Sequence, residues 1–167
     1  MEVHMEPRQR KNLRLKGYDY ASNGVYHVTM CTYQQTPWLS RIEESGLGVL
    51  LTSYGQIVEK AIRNIPSIYS FIQIKNYVIM PNHVHLLLHF KLPDTAQEKP
   101  TLSTVIGQAK RFASIQAGHT LWQRSFHENI ISNRAEYENA MHYIDNNPVN
   151  WPNDDFYVTL DYLQSRM

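Results

Sequence analysis

Tyr77-Val-Ile-Met-Pro-Asn-His-Val-His-Leu-Leu-Leu88 is apolar at both ends and carries two histidines with a single valine between them. The apolar ends read as a buried strand. Side chains on a strand alternate faces with period two, so His83 and His85 point one way and Val84, Leu86 and Leu88 the other. Two residues of rise separate the histidine Cβ atoms by roughly 6–7 Å. From there both imidazoles can converge on one cation at about 2.1 Å each, while the opposite face buries itself. A strand with two incidental histidines is the plain alternative, and the pair alone does not decide between them.

Working outward, Phe71 to Tyr77 alternates Ile72 and Ile74 with Gln73 and Lys75, which predicts a second strand. A turn through Pro81-Asn82 joins it to the histidine strand, which runs to about Phe90, and the hairpin is expected at the centre of a sheet. Val25-Tyr-His-Val-Thr-Met-Cys-Thr-Tyr33 is β-branched and aromatic and predicts another strand, entered through the tight-turn signal Asn23-Gly24. His27 within it reads as structural. Gln34 to Gly48 reads as loop, followed by a short strand at Val49–Leu51. Ile57, Ala61, Ile62 and Ile65 form an apolar stripe on a helix starting near Ser53, and Pro66 stops it. Lys91 to Pro100 is a polar surface loop. Thr101 or Ser103 caps a helix that runs to Ala117 and ends at Gly118, with Val105, Ile106, Ala109, Phe112 and Ala113 inward and Gln108, Lys110 and Arg111 more exposed. A short strand at Asn129–Ser132 and a last helix from Arg134 to about Asn147, closed by Pro148, complete the pattern. The order β–α–β–β–α–β–α predicts an α+β fold, a ferredoxin-like antiparallel sheet with helices packed on one face.

At 167 residues the chain is most simply one folded domain over 17–150, with a basic arm at 1–16 and a tail at 151–167 anchored by Trp151, Phe156 and Tyr157. A hydrophobic fraction of 43% with 19% charged residues is ordinary for a globular protein, and no run approaches the length of a membrane span. The first residues lack the apolar core of a secretory signal. Cys31 stands alone, which excludes an internal disulfide, fits a reducing cytoplasm and reads as a small buried hydrophobe. Net charge is only +1, but Arg8, Arg10, Lys11, Arg14 and Lys16 fall within nine residues, while Asp154, Asp155 and Asp161 gather near the other end. Such an arm can track phosphates or remain a solvated tail.

On the last helix Tyr137, Ala140, Met141 and Ile144 make a core-facing stripe. Tyr143 lies about 100° round from Ile144, at the edge of that stripe, free to present its hydroxyl elsewhere. Asn147 follows at i+4 on the same face, and Pro148 ends the helix there. Two imidazoles and a carboxamide oxygen suit Mg²⁺ or Mn²⁺ acting on a phosphate, and a tyrosine hydroxyl is a nucleophile for phosphorus.

The histidine strand resembles the metal-binding strand of the single-tyrosine HUH transposases. Arg14-Leu-Lys-Gly-Tyr-Asp-Tyr20, Leu121-Trp-Gln-Arg-Ser-Phe126 and Tyr143-Ile-Asp-Asn-Asn-Pro148 resemble the REP-associated tyrosine transposase branch. The likeness covers roughly residues 10–157. It implies that His83, His85 and Asn147 are metal ligands, that Tyr143 is the nucleophile and that the metal is Mg²⁺ or Mn²⁺. It implies cleavage of single-stranded DNA near a hairpin of the repetitive extragenic palindrome kind, with a 5′-phosphotyrosine intermediate and a free 3′-hydroxyl. Arg10, Lys11, Arg14, Lys16, Lys110, Arg111 and Arg124 are the DNA-binding candidates. A cytoplasmic, nucleoid-associated protein with no membrane partner is expected, as monomer or homodimer. The short link from Ser132 to the last helix favours a tyrosine acting within its own chain. The family pattern often carries histidine where this chain has Asn129, with His127 two residues away as a substitute. Two other readings stand beside this one: a non-catalytic hairpin-binding regulator, and an RNA-binding ferredoxin-like module, for which the aromatic signature is missing.

Overall fold

The computed structural model describes residues 23–97 and 99–158. Arg10, Lys11, Arg14 and Lys16, and with them the arm and the first resemblance motif, lie outside the described residues. The elements in chain order are β1 (Gly24–Cys31), β2 (Ser40–Ile42), β3 (Val49–Leu51), α1 (Ser53–Arg63), α2 (Ile65–Ile68), β4 (Ile72–Ile79), β5 (His83–Phe90), α3 (Leu102–Ala117), β6 (His127–Ile131) and α4 (Arg134–Asn146). Single 3₁₀ turns at Tyr33–Gln35 and Trp151–Asn153 complete them.

The main sheet is antiparallel with strand order β4-β5-β1-β6, the ferredoxin-like order once the small β2–β3 hairpin is set aside. Within the 71–90 hairpin only β5 is an inner strand; β4 lies at an edge, and β1 is the second inner strand. Register decides the faces. Tyr26, Val28 and Met30 pair with Leu88, Leu86 and Val84, so these side chains share one face. That face carries the main core, closed by Val58, Ala61 and Ile62 of α1 and by Leu102, Val105, Ile106 and Ala113 of α3. The odd-numbered residues share the other face, where His27, Thr29 and Cys31 stand opposite Leu87, His85 and His83. There Leu87 packs against Ala140 and Ile144, which seats α4 over part of that face.

Local chemistry explains the boundaries. Thr101 Oγ1 accepts from Thr104 N at the start of α3, and Gly118 ends it with φ +80, a left-handed conformation that glycine adopts without Cβ strain. Thr52 caps α1 in the same way as Thr101. Gly55 is required in α1, because a Cβ there would stand 2.0 Å from the Leu39 carbonyl oxygen. Pro66 does not simply stop α1. It sits in the first turn of α2, where a missing N–H costs nothing. The 34–48 segment contains β2, paired residue for residue with β3, where the sequence suggested only loop.

Candidate functional site

The turn before β5 fixes His83. Asn82 is fully buried, and its Nδ2 donates to the Phe156 carbonyl at 2.7 Å and the Gln35 carbonyl at 3.3 Å. Its Oδ1 is therefore the acceptor facing His83 Nδ1 at 2.9 Å, so Nδ1 carries the proton and Nε2 presents its lone pair inward. His85 is oriented by β1, with Thr29 Oγ1 at 3.0 Å and His27 Nε2 at 3.2 Å from its Nδ1. The two imidazole centroids are 4.8 Å apart. Burial holds both well below the usual histidine pKa. His83 and His27 depress His85 further, while Asp154 and Asn147 partly oppose burial at His83. Both rings are neutral, as metal ligands must be.

Helix α4 supplies the rest. Asn133 Oδ1 accepts from Glu136 N at 2.9 Å and Glu136 Oε2 accepts from Ser132 N at 2.7 Å, a reciprocal cap that fixes its start. Asn76 Nδ2 of β4 donates to Asp145 Oδ1 at 2.8 Å, tying the far end to the sheet edge. Between these anchors Tyr143 is 50% exposed, with its ring 5.0 Å from that of His85 and 5.8 Å from that of His27, edge to face in both cases. Its pKa is raised, chiefly by burial and then by Asp154, while the Asn147 carboxamide works in the opposite direction. Asn147 is buried as the C-cap of α4 and acts on His83 as well as on Tyr143.

Three buried atoms of this cluster have no hydrogen-bond partner within the protein: His83 Nε2, His85 Nε2 and Asn147 Oδ1. Asn147 Oδ1 and, by its tautomer, His83 Nε2 are acceptors, and His85 Nε2 is one when its Nδ1–H donates to Thr29 Oγ1. An unsatisfied buried acceptor costs roughly 1–3 kcal/mol, and three on neighbouring side chains fit the donor set of a divalent cation. Among the described residues no group of three or more His, Cys, Asp or Glu side chains is placed to hold a metal ion, and the third donor here is a carboxamide. A cavity of about 600 Å³ opens beside Tyr143, lined on the sheet side by His27, Thr29, His85 and Asn129 and on the helix side by Asn139.

His83, His85, Tyr143 and Asn147 lie together, and four more residues join them. Asn82, His27, Thr29 and Asp154 were not identified as site residues. His27 and Thr29 share the site face because β1 pairs with β5 in this register, and register across a long connection leaves no local sequence signal. Asp154 lies in the segment read as a tail, yet its Oδ2 stands 3.6 Å from His83 Nε2 and its side chain is only 8% exposed. Asn129 pairs with His27 and His127 with Thr29, so both belong to the site face of β6. Among the basic candidates Arg111 and Arg124 are exposed. Lys110 departs from expectation. Its half-buried ammonium donates to the carbonyls of Gln123 at 2.7 Å, Ser125 at 3.2 Å and Arg124 at 3.4 Å, folding back onto the 123–125 segment. No helix among the described residues is long and apolar enough to cross a membrane.

A family model described as transposase IS200 like matches residues 20–147. The chain is 30% identical to a Haemophilus influenzae protein of uncharacterised function, over 89% of this chain and 93% of that one. It is also similar to the solved structure of a REP-associated tyrosine transposase bound to a REP hairpin. That match has a TM-score of 0.56 and 25% identity, over 76% of this chain and 67% of that one.

Proposed function

The chain belongs to the IS200-like transposase family, and from that premise we propose that it is a cation-assisted single-strand DNA endonuclease and strand-transferase with Tyr143 as nucleophile. The observation that carries the proposal is the group of three buried polar atoms without a hydrogen-bond partner, His83 Nε2, His85 Nε2 and Asn147 Oδ1, beside a half-exposed tyrosine. The similar REP-associated tyrosine transposase is bound to a REP hairpin, which supports hairpin-forming DNA as the substrate.

His83, His85 and Asn147 would hold Mg²⁺ or Mn²⁺. The bound ion would polarise the phosphodiester and offset the negative charge on its oxygens. The chain's own residues do the rest. Asn82 keeps the His83 proton on Nδ1, and Thr29 and His27 orient His85. Tyr143 loses its hydroxyl proton to solvent on its exposed side, aided by the Asn147 carboxamide. The phenolate oxygen forms a bond to phosphorus as the P–O3′ bond breaks. The departing 3′-oxygen takes up a proton, and the 5′-phosphate stays on Tyr143. One phosphodiester replaces another, so strand transfer needs no nucleotide cofactor. Arg111 and Arg124 are exposed and suited to the DNA backbone.

The test is a hairpin-bearing single-stranded DNA incubated with the protein and Mn²⁺ or Mg²⁺. A covalent adduct that survives denaturation is expected, and Tyr143→Phe should abolish it while retaining hairpin binding. An undiminished adduct in Tyr143→Phe would overturn the nucleophile. Hairpin binding with no adduct in the unaltered protein would favour a non-catalytic regulator on the same fold.

A further inference from the structure

The turn after α4 brings a carboxylate to the histidine strand. Trp151 is buried, and Asp154 N donates to the Trp151 carbonyl at 3.0 Å. Asp154 Oδ1 accepts from Phe156 N at 2.8 Å, which pins the carboxylate and leaves Oδ2 facing His83 Nε2 at 3.6 Å. Phe156 is tied back in turn. Its carbonyl accepts from Asn82, and its ring lies 4.7 Å from that of His83. The Asn82 carboxamide places the only ring proton of neutral His83 on Nδ1. Carboxylate Oδ2 and His83 Nε2 are then two acceptors face to face with no hydrogen between them. Two donors about 2.1 Å from a shared ion stand roughly 3.0 Å apart at a right angle and 4.2 Å apart when opposed. The observed 3.6 Å lies between those limits.

We propose that Asp154 is a fourth protein donor to the cation held by His83, His85 and Asn147, carried to the site by the turn that follows α4. The proposal rests on the cation-assisted reading of the site. It changes the chemistry from a neutral donor set to an anionic one. A hard carboxylate oxygen strengthens the hold on Mg²⁺ or Mn²⁺ and lowers the net charge of the loaded site from +2 to +1. It leaves two of six octahedral positions open, enough for phosphate oxygens and little else. His83, His85 and Asp154 are not grouped to hold an ion as they stand, so ligation requires the Asp154 side chain to move as the ion binds.

The experiment is Mn²⁺ titration of the full chain by calorimetry, with water-proton relaxation of the bound ion as a second readout, on the unaltered protein, Asp154→Asn and the double variant His83→Ala/His85→Ala. Asp154→Asn keeps the Oδ1 acceptor for Phe156 N, so the turn is retained, and circular dichroism checks that it is. We expect the double variant to lose binding. Asp154→Asn should bind at least about tenfold more weakly and show higher relaxation per bound ion, because a water takes the vacated position. Asp154→Glu, which keeps the charge, should bind more tightly than Asp154→Asn. Equal or tighter binding by Asp154→Asn, with unchanged relaxation, would overturn the assignment and mark Asp154 as a partner of a protonated His83. Absence of Mn²⁺ binding in the unaltered protein, or full binding in the double variant, would overturn the cation-assisted reading beneath it.

Discussion

Asn82 forms no bond to DNA in this mechanism, yet it decides what His83 can do. Its amide nitrogen is committed to two carbonyls, so its oxygen must face His83 Nδ1. Removing that acceptor frees the ring to rotate or change tautomer. Partners of this kind contribute about 10–100-fold to metal affinity. Asn82→Ala should therefore weaken Mn²⁺ binding by that order with all ligands intact, and Asn82→Asp should recover part of the loss. An unchanged Kd in Asn82→Ala would remove it from the site. Lys110 illustrates a different case, a charge engaged by backbone carbonyls of its own chain. Its ammonium gathers three carbonyls of the 123–125 segment, and burial brings its pKa down to about 8. Lys110→Met should cost about 1–2 kcal/mol in denaturant unfolding, since hydrogen bonds to a charge are lost. The salt dependence of hairpin binding should stay the same, whereas Arg111→Ala or Arg124→Ala should each lower the slope by about one. A clear change of slope in Lys110→Met would return it to the DNA-binding set. Cys31 is a third residue with a definite titration. Burial pushes its thiol up to about 11, with Lys110 and Asp154 acting in opposite senses. Only about one molecule in a thousand carries the thiolate at pH 8, so alkylation of the folded protein should be slow there. Its rate should climb with each pH unit towards 11, and unfolding should accelerate it at once.

Helix α4 carries Tyr143, the proposed nucleophile, and it is seated lightly. Its buried contacts are Ala140 and Ile144 against Leu87, a cluster separate from the main core. Ile144→Ala should cost about 2–4 kcal/mol, mostly by loosening α4 and not the sheet. Hydrogen exchange is expected to rise along Arg134–Asn146 while β1 and β5 stay protected, and the covalent adduct should fall with it. Uniform loss of protection would mean that α4 and the core unfold as one unit. Helices with complete end signals were legible from sequence, as Thr101 and Gly118 show for α3. β-Branched and aromatic residues marked β1, apolar ends marked β5, and alternation marked β4. The β2–β3 hairpin was not legible, because Ser40–Ile42 and Val49–Leu51 are three residues each, too short for alternation to register. The break of register between Ile74 and Asn76 was equally hidden, since a bulge depends on the partner strand. That bulge matters, because it puts Asn76 on the α4 side, where it reaches Asp145.

The site is assembled from residues that lie far apart along the chain. The motif residues His83, His85, Tyr143 and Asn147 were legible because each sits on a strongly patterned element with its neighbours oriented by period two or 3.6. Their partners His27, Asn82 and Asp154 were not, since strand register, a buried turn and a post-helical turn decide their positions. One consequence concerns who supplies the nucleophile. The link from β6 to α4 is Ser132-Asn133, and Tyr143 already stacks edge-on against His85 of its own chain. A helix held by so short a link cannot reach a second copy without dissolving the reciprocal cap at Ser132, Asn133 and Glu136. Tyr143 should therefore act in cis. Tyr143→Phe mixed with His83→Ala/His85→Ala should yield no adduct at any ratio, because neither chain contains both halves of the site. Two exchanged chains would behave differently: pairing an intact tyrosine with an intact histidine pair would restore up to about half of the adduct in a mixed dimer. Recovery of adduct in the mixture, measured at protein concentrations spanning the dimer range, would show that α4 is shared between copies.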